Sequence, residues 1–482
     1  MRRVKSNFVI KVSAALLALA AAGPGCAHYQ ARPISAADNG ARIDDRRLDD
    51  PGLRRLLESV PGATPATWPL QVWDFPRLTL AAFYFQPALE VARAEWASAR
   101  AAVMTAGARP NPTLNVTPGY DFSASGGLSP WIPLFSVDVP LETAGKRGYR
   151  IARAEALSQS ARLNIAAVAW QTRGAVRASV LQLAAAERRA TLLEQAAQIQ
   201  RQIVRLLEGR VAAGAIARPE VIPARILLEK SLIDLADAQR ARAEARAGVA
   251  EAIGIPLRAL DGLTLASDFF QAPPAANELT SAALRRDALR HRADVLAALA
   301  DYAGAESALR LEIARQYPDI HFAPGYQFDQ GDNKWSLGLT VELPVLNQNQ
   351  GPIAEALAHR SEAAARFNAL QARVIAAIDR AATGYRAAQE QLAGLEALAT
   401  AQRKQADSAQ ALAQAGAGDR LDLLGAQLEL ATGEIARLDA LVKAQSAYGA
   451  LEDAIQRPLD LPAAARAARI EISADGATPP PR

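Results

Sequence analysis

The chain carries one pattern twice. Pro112-Thr-Leu-Asn-Val-Thr-Pro118-Gly119-Tyr120-Asp-Phe122 returns as Pro318-Asp-Ile-His-Phe-Ala-Pro324-Gly325-Tyr326-Gln-Phe328, 206 residues on (318 − 112, 324 − 118). Phe135-Ser-Val-Asp138-Val-Pro140 returns as Leu339-Thr-Val-Glu342-Leu-Pro344, 204 residues on (344 − 140). Gly214-Ala-Ile-Ala-Arg218-Pro219-Glu220-Val221 returns as Gly416-Ala-Gly-Asp419-Arg420-Leu-Asp422-Leu423, 202 residues on (416 − 214). The small drift in offset is what short insertions between matched segments leave. A duplication over this span calls for a fold made of two like halves.

The first two matched segments alternate with period two, as strands with chemically different faces do. Leu114, Val116, Tyr120 and Phe122 share one side against Thr113, Asn115, Thr117 and Asp121. In the next strand Trp131, Phe135, Val137, Val139 and Leu141 oppose Ser136, Asp138 and Glu142. The second copy sets Ile320, Phe322, Tyr326 and Phe328 against Asp319, His321 and Gln327, then Trp335, Leu337, Leu339, Val341 and Leu343 against Ser336, Thr340 and Glu342. This predicts hairpins at 111–142 and 318–345, with polar turns at 123–129 and 330–334 and aromatic residues near the turns. A membrane barrel places its interfacial girdle in that way. A soluble sandwich hairpin is the plainer alternative, but few other strands are visible. Four strands cannot close a lipid-facing barrel, and lipid tolerates no open sheet edge. If the hairpins cross a membrane, several chains must share one barrel.

After each hairpin comes a long stretch without a strong breaker, predicting helices at 146–213 and 352–415. Each could reach roughly 100 Å at about 1.5 Å per residue. The chain is half hydrophobic yet only 5% aromatic, and rich in alanine. That balance suits long helices packed side by side through small residues. Gly214 and Gly416 fit the left-handed position that ends a helix, and Pro219 fits the first turn of the next. Returning helices are predicted at 218–254 and 419–457. The first repeat then covers 75–254 and the second 279–457, each opening with a shorter helix. Residues 255–278 link them, 27–74 are an N-terminal linker or extension, and 458–482 a disordered tail.

The N-terminus has the form of an export signal. Arg2, Arg3, Lys5 and Lys11 precede an apolar stretch from Val12 to Ala22, too short to span a bilayer. Cys26, the single cysteine, stands where a bacterial lipoprotein is cleaved and acylated, so 1–26 is read as a signal with a lipidation cysteine. Gly23, in place of an aliphatic residue, departs from that pattern, and cleavage after Ala20 or Ala22 is the other reading. The net charge of +4, from 54 basic and 50 acidic residues, marks no nucleic-acid face. Scattered histidines, one cysteine and the lack of a phosphate loop or nucleophile elbow point to no enzyme, no cofactor and no tightly held metal.

The duplicated Pro-x5-Pro-Gly-Tyr strands, the Val-Pro-Leu and Leu-Pro-Val strand ends and the Gly-x5-acidic turns together resemble the TolC-like outer-membrane efflux protein family over about residues 75–460. The Gly145-Lys146-Arg147 junction, with Asn347–Gly351 as its counterpart, resembles the CzcC-like heavy-metal branch. The resemblance implies a mainly α fold with a small membrane β portion. Four strands from each of three chains would form a 12-strand barrel, continuous with a periplasmic helical barrel. It implies a homotrimer in the outer membrane of a Gram-negative bacterium, lipid-anchored if Cys26 is acylated. Its partners would be a periplasmic adaptor and an inner-membrane pump of the resistance-nodulation-division type. The function implied is passive conduction of metal cations or drugs; a polypeptide-secretion duct and a poreless periplasmic scaffold are the competing readings.

Several residues become candidates on this basis. Asp121, Asp138, Asp319 and Glu342 lie on the polar strand faces and would line the lumen as acidic rings that favour cations; a merely hydrated face is the alternative. Gly214, Arg218, Gly416, Asp419 and Arg420 would sit at the periplasmic tip facing the adaptor, although turn geometry alone accounts for the glycines. Asp407 stands where relatives carry tunnel-constricting acids, against the plainer reading of a solvated carboxylate. Arg150, Arg153 and Glu155 are read as anchors of the strand-to-helix junction.

Overall fold

A computed structural model describes residues 29–61, 63, 67–267, 270–274 and 281–459. The segment read as an export signal, Cys26 and the tail beyond residue 459 lie outside the described residues. The chain divides into two compact units, 1–46 and 47–482. In the first, α1 (Ala36–Asp44) begins where the Ser35 hydroxyl accepts the Asp38 N–H at 3.3 Å, and it buries no residue.

The second unit runs α2 (Pro51–Ser59), β1 (Val72–Trp73), α3 (Phe75–Phe85), α4 (Pro87–Gly107), β2 (Thr113–Tyr120), β3 (Trp131–Leu141), α5 (Lys146–Ala212) and α6 (Ile222–Ile253). It continues with β4 (Thr264–Leu265), α7 (Ser281–His291), α8 (Ala293–Ala314), β5 (Ile320–Asp329), β6 (Asp332–Val341), α9 (Gln350–Gln414) and α10 (Arg420–Ile455). Helices α5 and α9, at 67 and 65 residues, are each about 100 Å long. Both start from a left-handed residue, Gly145 (φ 73°) and Asn349 (φ 62°). Asparagine tolerates that conformation, and Asn349 is held there as its side-chain amide donates to the Glu312 carbonyl at 2.7 Å.

Two segments differ from the sequence reading. The first returning helix does not begin at residue 218: Arg218–Val221 form a 3₁₀ turn, and α6 starts at Ile222. Pro223 has no N–H to bond back to Pro219, so the first turn closes through the tighter Ile222-to-Pro219 bond. The expected extension before residue 75 is also more than a linker. Leu53 and Leu57 of α2 and Trp73 of β1 are fully buried, and β1 pairs in parallel with β4, Val72 opposite Thr264. Thus residues on either side of the hairpin-and-helix segment meet across more than 190 positions (264 − 72).

That belt surrounds the middle of α5. Leu78, Ala81 and Ala82 of α3, Val176, Val180 and Leu183 of α5, and Val249 and Ile253 of α6 share one apolar core with Leu53, Leu57 and Trp73. A second core joins Ile378 of α9 to Val295, Ala454 and Ile455. Between them lies a buried ion network. Glu452 of α10, fully buried, accepts from Arg173 of α5 at 2.9 Å, with Arg177 at 3.7 Å, and its other oxygen accepts the Leu459 N–H. Arg177 also donates to the Gln445 side chain at 3.1 Å and stacks over Tyr448, 4.9 Å from the ring centre. Gly449 makes the approach possible, since a Cβ there would lie 2.7 Å from Arg177 Nε. A buried carboxylate with several donors is tolerated; stripped of them it would be costly.

Asp453, next in the chain, has solvent-accessible surface, yet its carboxylate lies against Gly174 of α5. Desolvation pushes this carboxyl up to about 6; Arg173 opposes the rise, Glu452 adds to it, and Arg177 and Arg292 oppose it. A native pKa above the ordinary carboxylate value of about 4 means the folded state binds more protons between the two values. Stability therefore falls as pH rises from about 4 through about 6. Because Asp453 keeps solvent contact, which screens the effect, Asp453→Asn is expected to raise the thermal midpoint of the purified protein by about a degree or two near neutral pH, and not at about pH 4. Equal shifts at both pH values in circular-dichroism melts would show that ionisation is not the cause.

Candidate functional site

The four longer strands form one antiparallel sheet in the order β2-β3-β5-β6. In β2 and β3, Thr113 faces Asp138, Val116 faces Phe135 and Tyr120 faces Trp131. In β5 and β6, His321 faces Thr340, Phe322 faces Leu339 and Tyr326 faces Trp335. The hairpins join through β3 and β5, Phe135 opposite Tyr326 and Val139 opposite Phe322. This register gathers Leu114, Val116, Phe135, Val137, Phe322, Leu337 and Leu339 on one face, where all are exposed. Thr113, Asn115, Ser136, Asp138, His321, Ser336 and Thr340 share the other. Near the hairpin turns the Tyr120–Trp131 and Tyr326–Trp335 rings pack at 5.0 Å. Among the described residues, strands β2 and β6 end the sheet with unpaired edges.

The four candidate acids fall in different settings. Asp138 meets His321 across β3 and β5, carboxylate to Nδ1 at 3.0 Å, a contact that reading the strands singly does not reveal. Glu342 follows β6 directly and is exposed. Asp121 is tied into the outer turn, accepting from the Ser123 hydroxyl and amide and from Gln330. Asp319 is an anchor at the root of the sheet: it accepts from Lys146 Nζ at 2.8 Å and from the Thr143 N–H at 2.9 Å. Desolvation works to raise its carboxyl, but Lys146 and Thr143 outweigh that and hold it below the usual carboxylate range. Beside it Arg150 grips Glu142 and donates to the Ala106 carbonyl, clamping β3 and α4 to the start of α5.

At the far end of the long helices, Gly214 and Gly416 adopt the left-handed conformation, at φ 72° and 71°. Ala215 N–H bonds to the Arg210 carbonyl and Ala417 N–H to the Leu412 carbonyl, closing both helices alike. Arg218 opens the 3₁₀ turn, and Asp419 caps α10 by accepting the Leu421 N–H. Arg218, Asp419 and Arg420 are exposed. Asp419 also takes both oxygens to Arg210 of α5, at 2.6 and 2.7 Å, and this guanidinium holds its carboxyl below the usual range. The ion pair ties the tips of the two halves together. Arg210 escaped the sequence reading; its signal was a basic residue in the last turn of a helix. Asp407 is exposed on α9, seven residues before the helix ends (414 − 407). Among the described residues no three His, Cys, Asp or Glu side chains gather as a bound metal would need, and no helix is long and apolar enough to cross a membrane.

Lys146 is buried while Asp319 keeps about a third of its side chain exposed. Asp319→Ala should cost about 1–2 kcal/mol by leaving the ammonium uncompensated, less than the about 3–5 kcal/mol of a fully buried pair. Adding Lys146→Met should recover most of the loss, since an apolar isostere needs no partner. Equilibrium denaturant melts of the single and double variants provide the check; additive losses would show that the pair is not coupled.

The outer membrane efflux protein family matches this chain twice, over residues 85–255 and 284–456. The cobalt-zinc-cadmium resistance protein CzcC of Cupriavidus metallidurans is 28% identical over 279 residues, covering 57% of this chain and 64% of that protein. The match thus spans a little less than two thirds of the relative's length. Among solved structures, VceC of Vibrio cholerae superposes with a TM-score of 0.63 at 21% identity, covering 79% of this chain and 95% of its own. CusC superposes at 0.64 and 18% identity, covering 81% and 94%, and the outer-membrane channel OprN at 0.64 and 18%, covering 90% and 98%. At such identities the superpositions speak for the fold; with the double match across most of its length, the chain belongs to the outer membrane efflux protein family.

Proposed function

We propose that this chain is the outer-membrane channel of a tripartite efflux system, and that three copies close a 12-strand barrel continuous with a periplasmic helical tunnel. The observation that carries the reading is a four-stranded sheet with one exposed apolar face and two open edges, rooted on helices 67 and 65 residues long. In hydrocarbon the apolar face is at home, while the open edges must find strands from other copies. The helices are long enough to reach well into the periplasm, where Gly214, Arg218, Gly416, Asp419 and Arg420 at their turns would meet an adaptor joined to an inner-membrane pump. The two matched segments are read as two halves of one internal repeat.

Metal cations are the proposed cargo, supported by the CzcC relative and by the Gly145-Lys146-Arg147 junction. Of the four acids, Asp138 and Glu342 are the ones proposed to face passing cations, because Asp319 is neutralised by Lys146 and Asp121 is tied into its turn. Asp407 is proposed to narrow the tunnel near its tip. The polar face offers transient contacts rather than a chelating cage, as a conduit requires: a cation held tightly would not leave. Cys26 is proposed to carry a lipid that holds the N-terminus to the membrane.

Deletion of the gene should sensitise the cell to cobalt, zinc or cadmium, with the wild-type chain restoring resistance. In planar bilayers the purified protein should conduct and prefer cations, and Asp138→Asn with Glu342→Gln should lower the cation-to-anion permeability ratio by about twofold or more, read from reversal potentials. A protein that is monomeric in native membranes and conducts nothing would overturn the channel reading. Incorporation of labelled palmitate that persists in Cys26→Ser would remove the lipid anchor alone.

A further inference from the structure

We infer that His321, held at Nδ1 by Asp138, offers its other ring nitrogen to a divalent transition-metal cation passing along the polar face of the sheet, with the Glu342 carboxylate as a second donor. The inference deepens the proposed function and rests on the reading that this sheet lines a channel for metal cations.

The sheet register creates the pair. His321 is the second residue of β5, opposite Pro140 of β3 and Thr340 of β6. Asp138 precedes Pro140 by two positions, so it is the diagonal neighbour of His321 on the same face. Both of its oxygens stand within reach of Nδ1, at 3.0 and 3.3 Å. A carboxylate can only accept, so in the neutral imidazole the proton sits on Nδ1 and the lone pair on Nε2. Nε2 makes no hydrogen bond among the described residues, and 42% of the His321 side chain is exposed. A carboxylate behind one ring nitrogen fixes the tautomer of a metal-binding histidine and strengthens the other nitrogen as a donor.

Donor chemistry then selects the cation. The hydroxyl and amide oxygens of Thr113, Asn115, Ser136, Ser336 and Thr340 suit magnesium and calcium, whereas imidazole suits zinc and its neighbours in the first transition row. His321 is the single imidazole in β2, β3, β5 and β6. Glu342 stands two positions beyond Thr340 and so lies diagonally across from His321. Diagonal positions on one face are about 7–8 Å apart, a gap that a cation held between an imidazole and a carboxylate bridges. Two protein donors, with water in the remaining positions, hold a cation briefly where a closed four-ligand cage would keep it. The other described histidines lack this arrangement. His291 Nδ1 meets Asp287 at 3.1 Å, but Arg457 takes the same carboxylate, and Arg290 and Arg292 adjoin the ring in the chain, a setting that repels cations. His359 has a carboxylate against each nitrogen, Glu355 at 3.5 Å and Glu362 at 3.4 Å, which leaves neither bare.

The test reads each histidine separately. The full-length protein, reconstituted in lipid vesicles, is treated with diethylpyrocarbonate at neutral pH, and carbethoxylation of His321 and His291 is followed by peptide mass spectrometry. Zinc or cobalt chloride at millimolar concentration should slow the reaction of His321 about threefold or more, magnesium should not, and His291 should react alike in all three salts. Asp138→Ala should raise the zinc concentration that half-protects His321 by about tenfold, each variant being compared with its own metal-free rate. Asp138→Asn, whose side-chain oxygen still accepts from Nδ1, should keep much of the protection. Glu342→Gln should weaken it severalfold. Equal protection by magnesium, or protection of His321 no greater than that of His291, would overturn the assignment. If Asp138→Asn loses as much as Asp138→Ala, the positioning role of Asp138 falls. Conductance of the same preparation in planar bilayers is measured alongside. A protein that conducts while zinc leaves His321 unprotected loses the metal contact and keeps the channel reading; one that conducts nothing loses both.

Discussion

A backbone amide in hydrocarbon has no water to bond to, so a sheet that enters lipid cannot keep an open edge. The other features of this chain are arranged around that constraint. Its sheet has four strands, an apolar face and, among the described residues, two unpaired edges, and in the channel reading proposed above copies of the same sheet would cover those edges. Lys146–Asp319 and Arg150–Glu142 bind the roots of the hairpins to the first turns of α5. These ion pairs sit where the strand direction gives way to the helix direction. There a fixed geometry matters more than the modest net energy of the pairs.

Charge is used again where the two halves of the chain meet. Glu452, Arg173 and Arg177 lie in the middle belt, Arg189–Asp439 farther along, and Arg210–Asp419 at the tips. Helices lined with alanine slide easily past one another, because small side chains interlock weakly. Of the charge pairs, the Glu452 cluster is buried and needs all its donors in place, whereas Arg189–Asp439 is exposed and adds little. The exposed sides of α6 and α9, by contrast, carry isoleucine and leucine among charged residues such as Glu229, Lys230 and Glu396.

Much of this architecture was legible in the sequence because its signals are periodic. Period-two alternation with tyrosine and tryptophan near the turns announced the hairpins, and the long alanine-rich stretches bounded by Gly145, Gly214, Asn349 and Gly416 announced α5 and α9. The site was legible only in part. Asp121, Asp138, Asp319 and Glu342 share a face in any strand reading, yet only the assembled sheet separates a carboxylate neutralised by Lys146 from one that meets His321. Arg210, Arg177 and Glu452 could not be chosen from among 54 basic and 50 acidic residues, since their partners lie more than 200 positions away in the chain. The role of residues 47–74 was hidden for the same reason: Leu53 and Trp73 are core residues only because α3, α5 and α6 come together around them.

The sequence by itself determined which side chains share a strand face, where the long helices begin and end, and the offsets between matched segments, because these follow from local periodicity and turn chemistry. Tertiary structure alone decided that β3 pairs with β5, which acids are bound and which stay open, and which helix faces lack a neighbour. Those outcomes depend on contacts between residues far apart in the chain, and no local pattern encodes which distant residue each one will meet.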